Sequence, residues 1–289
     1  MMIQSVLGIE PGITAVIGSG GKTSLIAELA GELCDGRAGN GETVYSGRCF
    51  GNVVICTTTH IMKPEGMPVY VFERGQGCAD GESVRSGSIR IQGPGPQPET
   101  DLSYEACREK ATEQLRTLFE QHKGSPVCVG TADPDNPAKL ISFPIDIIRE
   151  AAGKDAYIMV EADGAKHLPM KAHNDREPVI PEECGRVVLV IGAEGFGKPV
   201  SEAVHRPEIF AELADINSTE VVTPDILAKV LLAERPKYGT GRLQVLINRT
   251  DSPEQHTIRQ DLIIARKLAE LTGWEVYVGC VKKGVVEKV

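Results

Sequence analysis

Three short stretches of this chain carry residue types and spacings that can do phosphate chemistry. The first is Ile17-Gly18-Ser19-Gly20-Gly21-Lys22-Thr23-Ser24. Glycines at 18, 20 and 21 let the backbone turn sharply and bring N–H groups close to an anion. Lys22 adds a cation, and Thr23 or Ser24 adds a hydroxyl suited to Mg²⁺. The second is Glu161-Ala162-Asp163-Gly164-Ala165-Lys166. An acid directly after an apolar strand stands where nucleotide hydrolases keep the carboxylate that holds Mg²⁺, so Glu161 or Asp163 is the candidate. The third is Thr57-Thr58-Thr59-His60, in which Thr58 or Thr59 can contact Mg²⁺ or a terminal phosphate; His60 equally fits a turn cap.

Weaker signals surround these. Asn248-Arg249-Thr250-Asp251 resembles the Asn-Lys-x-Asp guanine reader of GTPases, with Arg249 in place of the lysine. Asn248 and Asp251 are thus candidate base contacts, and ATP and GTP both stay open. Lys166, Lys171, His173, His205 and Arg206, together with His60, can form a site for a second anionic ligand, or simply a solvated face. Val16 occupies the position where the common loop pattern has its first glycine, so the loop shortens to Gly-x-x-Gly-Lys-Thr, similar to that of Mur-ligase-type ATP enzymes. Glu161-x-x-Gly164 in turn resembles the switch motif of GTPases that serve metalloenzyme maturation.

These residues need rigid elements behind them. Ile13–Ile17 is a continuous apolar strand, and Leu25, Ile26, Leu29 and Leu33 recur at helical spacing immediately after the loop. Further strands are expected at Asn52–Thr57, Pro126–Val129, Tyr157–Val160, Val187–Ile191, Leu243–Ile247 and Glu275–Gly279. Helices are expected at Ser103–Lys123, around Ile145–Ala152, at Pro207–Leu213, after Thr223 and around Ile258–Leu268. Such alternation predicts an α/β fold: a P-loop NTPase-like, doubly wound, mostly parallel sheet with helices on both faces. It also gathers all the motifs at the carboxyl edge of the sheet. Residues 73–100, rich in Gly, Pro and Ser and crossed by a short strand at Ser88–Ile91, read as an excursion from a single nucleotide-binding domain spanning 1–289.

Composition narrows the function. The 31 basic and 40 acidic residues leave a formal charge of −9, which disfavours nucleic acid as a partner. No apolar run reaches membrane-spanning length and the start lacks the regions of a secretory signal, so no membrane partner and a cytoplasmic location are expected. None of the eight cysteines forms a C-x-x-C pair, and reduced, packed thiols are expected.

Val16–Ser24, Thr57–His60, Val160–Lys166, Lys171-Ala172, Glu177-Pro178-Val179-Ile180-Pro181 and Val204-His205-Arg206-Pro207 together resemble the YqeC family, over about residues 8 to 285. Its members are described as accessory proteins of selenium-dependent molybdenum hydroxylases. The resemblance implies a P-loop nucleotide-binding fold acting in maturation of a selenium- and molybdenum-containing cofactor. A cofactor precursor or a client molybdenum hydroxylase is then the implied partner. From the residues themselves come the cofactors expected here, Mg²⁺ with ATP or GTP, and an NTPase activity. An ATP-dependent ligase or kinase acting on a small acid or precursor, and a non-catalytic nucleotide-gated escort, stand beside it.

Overall fold

The computed structural model describes residues 2–34, 51–74, 89–90, 104–248 and 258–289. The strands are β1 (Gly12–Gly18), β2 (Val53–Thr57), β3 (His60–Met62), β4 (Val69–Arg74), β5 (Ile89–Arg90), β6 (Val127–Ala132), β7 (Lys139–Ile141), β8 (Tyr157–Glu161), β9 (Met170–Lys171), β10 (Cys184–Gly192), β11 (Val204–His205), β12 (Arg242–Asn248), β13 (Glu275–Cys280) and β14 (Val285–Lys288). The helices are α1 (Ile3–Val6), α2 (Lys22–Leu33), α3 (Tyr104–Gln121), α4 (Ile145–Ala152), α5 (Val200–Ala203), α6 (Pro207–Ala214), α7 (Pro224–Glu234) and α8 (Ile258–Thr272).

Twelve strands form one sheet in the order β14-β13-β12-β10-β1-β8-β2-β6-β4-β5, with β7 and β3 branching from β6, and β9 and β11 pair separately. From β13 to β4 every pair along that order is parallel. The antiparallel pairs of this sheet lie toward its margins, β13–β14, β4–β5, β6–β7 and β3–β7. The sheet is therefore mixed, though mostly parallel as expected.

Continuous apolar sequence makes β1 a central strand, because parallel strands are covered on both faces. Ile13, Ala15 and Ile17 join a core shared with α3, α4, α6, α7 and α8, while Val16 faces the other way into a core with α1 and α2. Helices do cover both faces, unevenly. The apolar stripe of α2 (Leu25, Ile26, Leu29, Ala30, Leu33) is buried, and each such leucine or isoleucine contributes about 1.5–3 kcal/mol. Thr223 caps α7 by accepting the Ile226 N–H at 3.3 Å, with Pro224 in the first turn. No helix among the described residues is long and apolar enough to cross a membrane.

From β1 the chain runs through α2 to β2, on the far side of β8. From β8 it passes to β10, on the opposite flank of β1. The strand order thus reverses between β1 and β10, and a doubly wound sheet opens its ligand crevice at the carboxyl ends of two such strands.

The sequence reading leaves out β4, a six-residue strand parallel to β6 whose end at Glu73-Arg74 it assigns to the excursion, and several short strands. β3, β7, β9, β11 and β14 have two to four residues each, too few for alternation to register. Of the expected excursion over 73–100, residues 73–74 belong to β4 and Ile89–Arg90 form β5; the rest lies outside the described residues. Five cysteines, Cys56, Cys107, Cys128, Cys184 and Cys280, are free and buried as expected. Cys34 corrects that expectation, because it is disulfide-bonded. Sequence spacing carries no information about which thiols meet in space; Cα separation in the fold decides that.

Candidate functional site

The loop leaving β1 enters the β1–β10 crevice with three left-handed glycines, Gly18, Gly20 and Gly21, at φ 92°, 87° and 120°. All three also need the absence of a side chain, a Cβ on Gly18 falling 2.3 Å from the Val190 carbonyl oxygen. A Cβ on Gly20 would sit 2.3 Å from the Gly192 nitrogen, and one on Gly21 2.4 Å from Asn248 Nδ2. The turn is thereby packed directly against the ends of β10 and β12. Ser19 is buried with its hydroxyl on the Leu168 carbonyl, so it fastens the loop rather than pointing at a ligand.

Lys22 begins α2 with its side chain folded back under the loop. Nζ donates to the Gly18 carbonyl at 2.9 Å and pairs with Asp163 at 3.0 Å and Glu161 at 3.7 Å. The next residue, Thr23, is exposed, and its hydroxyl donates to Glu161 Oε2 at 3.1 Å. Ser24 is half-buried. Between the alternatives the geometry selects Thr23 as the hydroxyl beside the acid.

β8 lies next to β1, with Val16 level with Glu161, and so delivers both acids to the loop in different roles. Asp163 is wholly buried. Its Oδ2 accepts the Gly18 N–H at 2.7 Å and lies 2.8 Å from His173 Nε2 and 3.2 Å from Lys171 Nζ. Burial opposes the Asp163 charge, but the bond to His173 and the charges of Lys22 and Lys171 hold its carboxyl far below the usual range. Glu161 has fewer partners, Lys22 and Thr23, and burial pushes its carboxyl upward despite them. A buried carboxylate with its charge under-compensated is the one that gains from a cation. That donor set, an exposed hydroxyl with a carboxylate 3.1 Å away, fits Mg²⁺, which takes one or two protein oxygens and leaves the rest to water and phosphate. No group of three or more His, Cys, Asp or Glu able to cage a metal occurs among the described residues.

Behind Asp163 a polar chain runs into the core. His173 Nδ1 lies 2.9 Å from Glu234 Oε2, which also accepts the Tyr238 hydroxyl at 2.8 Å, while Glu234 Oε1 accepts the His173 N–H at 2.6 Å. Both ring nitrogens face carboxylates. Burial alone would lower His173, yet its bonds to Asp163 and Glu234 raise it above the ordinary histidine value. A parallel branch links Lys171 to Glu177 at 2.9 Å and Glu177 to Arg206 at 2.8 Å. Arg206 also donates to the Ala172 carbonyl at 3.1 Å from a left-handed backbone at φ 66°.

The proposed second-ligand cluster is therefore divided. Lys171, His173 and Arg206 are committed to internal carboxylates and offer no open anion site. Lys166 is exposed. His205 is half-buried and shifted below the ordinary histidine value by burial and by Arg206, Lys171 and Lys166. His60, also exposed, lies apart beside Asp133 at 3.8 Å. The hydroxyl of Thr58 donates to the Val179 carbonyl at 2.7 Å, whereas that of Thr59 is buried without a partner among the described residues. Asn248 donates to the Gly20 carbonyl at 2.8 Å and accepts the Val281 N–H at 3.1 Å, which makes it a clamp on the loop. Asp251 lies outside the described residues. Glu177, Glu234 and Tyr238 hold the site from behind and carry no sequence signal; the motif around Glu177 marks a stretch, not a role.

A mostly parallel sheet flanked by helices, with a glycine-lysine loop at its switch point and two acids at the exit of the neighbouring strand, defines a mixed α/β protein. The family model described as "YqeC protein" matches residues 14–208. The chain belongs to the YqeC family. It is 30% identical over 218 residues to the "Uncharacterized protein YqeC" of Escherichia coli (strain K12), covering 75% of this chain and 63% of that protein. The chain thus spans somewhat less than two thirds of the curated relative it matches. No solved structure matches it.

Proposed function

We propose that the protein binds a nucleoside triphosphate with Mg²⁺ on the Gly18–Ser24 loop and cleaves it, as a P-loop NTPase serving cofactor maturation. One observation carries this reading: Thr23 Oγ1 and Glu161 Oε2, 3.1 Å apart, stand beside the Lys22 ammonium at the mouth of a glycine turn. An ammonium has three donors. Two of them serve Gly18 and Asp163, leaving one for a phosphate oxygen. The N–H groups of Gly18 and Ser19 are taken by Asp163 and the Val190 carbonyl, so those at the start of α2 would meet the same anion.

Thr23 and Glu161 would hold the metal. Mg²⁺, when bound, neutralises charge that develops on the phosphate oxygens. Lys22 would take up charge on the β- and γ-phosphates, and Asp163 would fix the loop through the Gly18 N–H. Catalysis of this kind is positioning and electrostatics, so Lys22→Ala should lower turnover by on the order of a thousandfold. The resemblance to the YqeC family supports assigning this turnover to the maturation of selenium-dependent molybdenum hydroxylases, with a cofactor precursor or the client enzyme as partner.

The test is a titration of the full chain with ATP and with GTP, with and without Mg²⁺, followed by phosphate-release assays on parent and Lys22→Ala proteins. Parent-level hydrolysis by Lys22→Ala would exclude this site. Cleavage that depends on an added small acid would instead identify a ligase or kinase. Tight binding without cleavage, even with the client present, would identify a nucleotide-gated escort.

A further inference from the structure

Beside the acidic strand lies a cavity of about 510 Å³, bounded by Thr58–His60, Asp133–Asp135, Ile141-Ser142 and the segment Asn174–Glu177. Two of its walls are bonded directly to the β8 exit. The Thr58 N–H donates to the Glu161 carbonyl at 3.2 Å, and Glu177 accepts the Gly164 N–H at 3.3 Å. The cavity therefore adjoins the exit of β8 but shares none of the loop's residues.

Its polar groups sort by whether they are already engaged. Glu177 is taken by Lys171, Arg206 and the Gly164 N–H. Asp133 Oδ1 accepts the Asp135 and Asn136 N–H groups at 2.9 and 3.3 Å, and its Oδ2 faces His60. Both carboxylates thus already have partners, and Asp135 is an exposed acid at the rim. The donors are different. Asn174 Oδ1 accepts the Arg176 N–H at 3.0 Å, which fixes the amide orientation and leaves its NH₂ without a partner among the described residues. The Thr59 hydroxyl is buried and has no partner among the described residues. The Arg176 guanidinium is exposed and has no ion-pair partner among the described residues. A buried hydroxyl with nothing to bond is costly unless a ligand completes it.

We propose that this cavity is the site of a second, small anionic ligand, a carboxylate or oxyanion, held by Arg176, the Asn174 amide and the Thr59 hydroxyl beside the nucleotide's terminal phosphate. Its position relative to nucleotide rests on the reading above; the site itself rests on these three donors. Arginine beside a neutral donor pair is the arrangement that recognises planar carboxylates or phosphate oxygens in two-point fashion.

Isothermal titration calorimetry of the full chain with malonate and with inorganic phosphate tests it, before and after saturation with Mg²⁺ and a non-hydrolysable ATP analogue. One probe should bind with the analogue present. Its affinity should fall about tenfold or more in Arg176→Ala and in Thr59→Val, the loss of one charge-assisted or one buried hydrogen bond. Arg176→Ala should bind the analogue like the parent. Failure of both probes to bind, or binding unchanged in both variants, would overturn the proposal. Analogue that does not bind, with malonate binding still lost in Arg176→Ala, would retain this site and discard the nucleotide reading.

Discussion

Asp163 Oδ2 lies 2.8 Å from His173 Nε2, and the same oxygen accepts the Gly18 N–H at 2.7 Å. One carboxylate oxygen thus joins the phosphate loop to a buried histidine whose other nitrogen reaches Glu234 on α7. Sequence position marks Asp163 as a metal acid. Its geometry makes it the post on which the loop is hung.

Asp163→Asn leaves Lys22, Lys171 and His173 facing a neutral amide in a buried site. Removing one partner of a buried charge pair costs about 3–5 kcal/mol, so the urea midpoint should drop sharply. His173→Gln should weaken the same post, and the double variant should cost less than the two losses added, with a coupling of about 0.5–3 kcal/mol. Strict additivity would show that the two residues act separately.

Glu161→Gln should behave in the opposite way. Its charge is already disfavoured by burial, so the amide should fold with stability near the parent's while Mg²⁺ ceases to strengthen nucleotide binding. Parallel circular dichroism melts and Mg²⁺ titrations in the presence of nucleotide separate the two acids. If Asp163→Asn kept its stability and lost the Mg²⁺ effect, the assignment of roles would be reversed.

Stability should depend on pH in a predictable way. His173 is raised in the folded state, so its contribution is complete below about 6.5, the ordinary histidine value, and fades as pH rises through the higher folded one. Glu234 and Glu177 are lowered, Glu177 to about 2, so their contributions are present above about 4.3 and fade as pH falls. On the balance of these three groups the urea midpoint should be highest between about pH 4.5 and 6.5 and decline toward pH 8. The raised Glu161 carboxyl adds to that decline, and the lowered His205 opposes it below about 6.5. Measurement stops there because the buried thiols of Cys56 and Cys128 are both pushed upward by burial, Cys128 to about 12, and they add their own alkaline dependence. A midpoint flat from about pH 6 to 8, or a decline unchanged in His173→Gln, would contradict the buried imidazolium.

What the sequence disclosed follows from how local each signal is. β1, the glycine turn and α2 form one contiguous stretch, so pattern alone locates the loop, Lys22 and Thr23. Lys171 and His173 are visible as charged residues near an acidic strand, but whether they face solvent or Asp163 depends on contacts with Glu177 and Glu234, up to 61 residues away. No periodicity encodes such a contact. The same holds for Arg176 and Asn174, which line a cavity only because the 174–177 segment comes to lie beside Thr58–His60 and the Asp133 loop.

Asn248 decides how the Asn-x-x-Asp resemblance should be read. A base reader would contact the nucleobase, and its loss would affect GTP and ATP unequally. Here the side chain bridges Gly20 and Val281, joining the loop to the end of β13. Asn248→Ala removes both bonds and leaves a buried N–H unsatisfied, at a cost of about 1–3 kcal/mol. The Gly20 turn would lose its brace and bind phosphates less well whatever the base. We therefore expect Asn248→Ala to weaken ATP and GTP binding by a similar factor and to lower the thermal midpoint. Measuring both nucleotides on one variant preparation checks this directly. A loss confined to GTP would make Asn248 part of a guanine site and would require Asp251 to be tested as its partner.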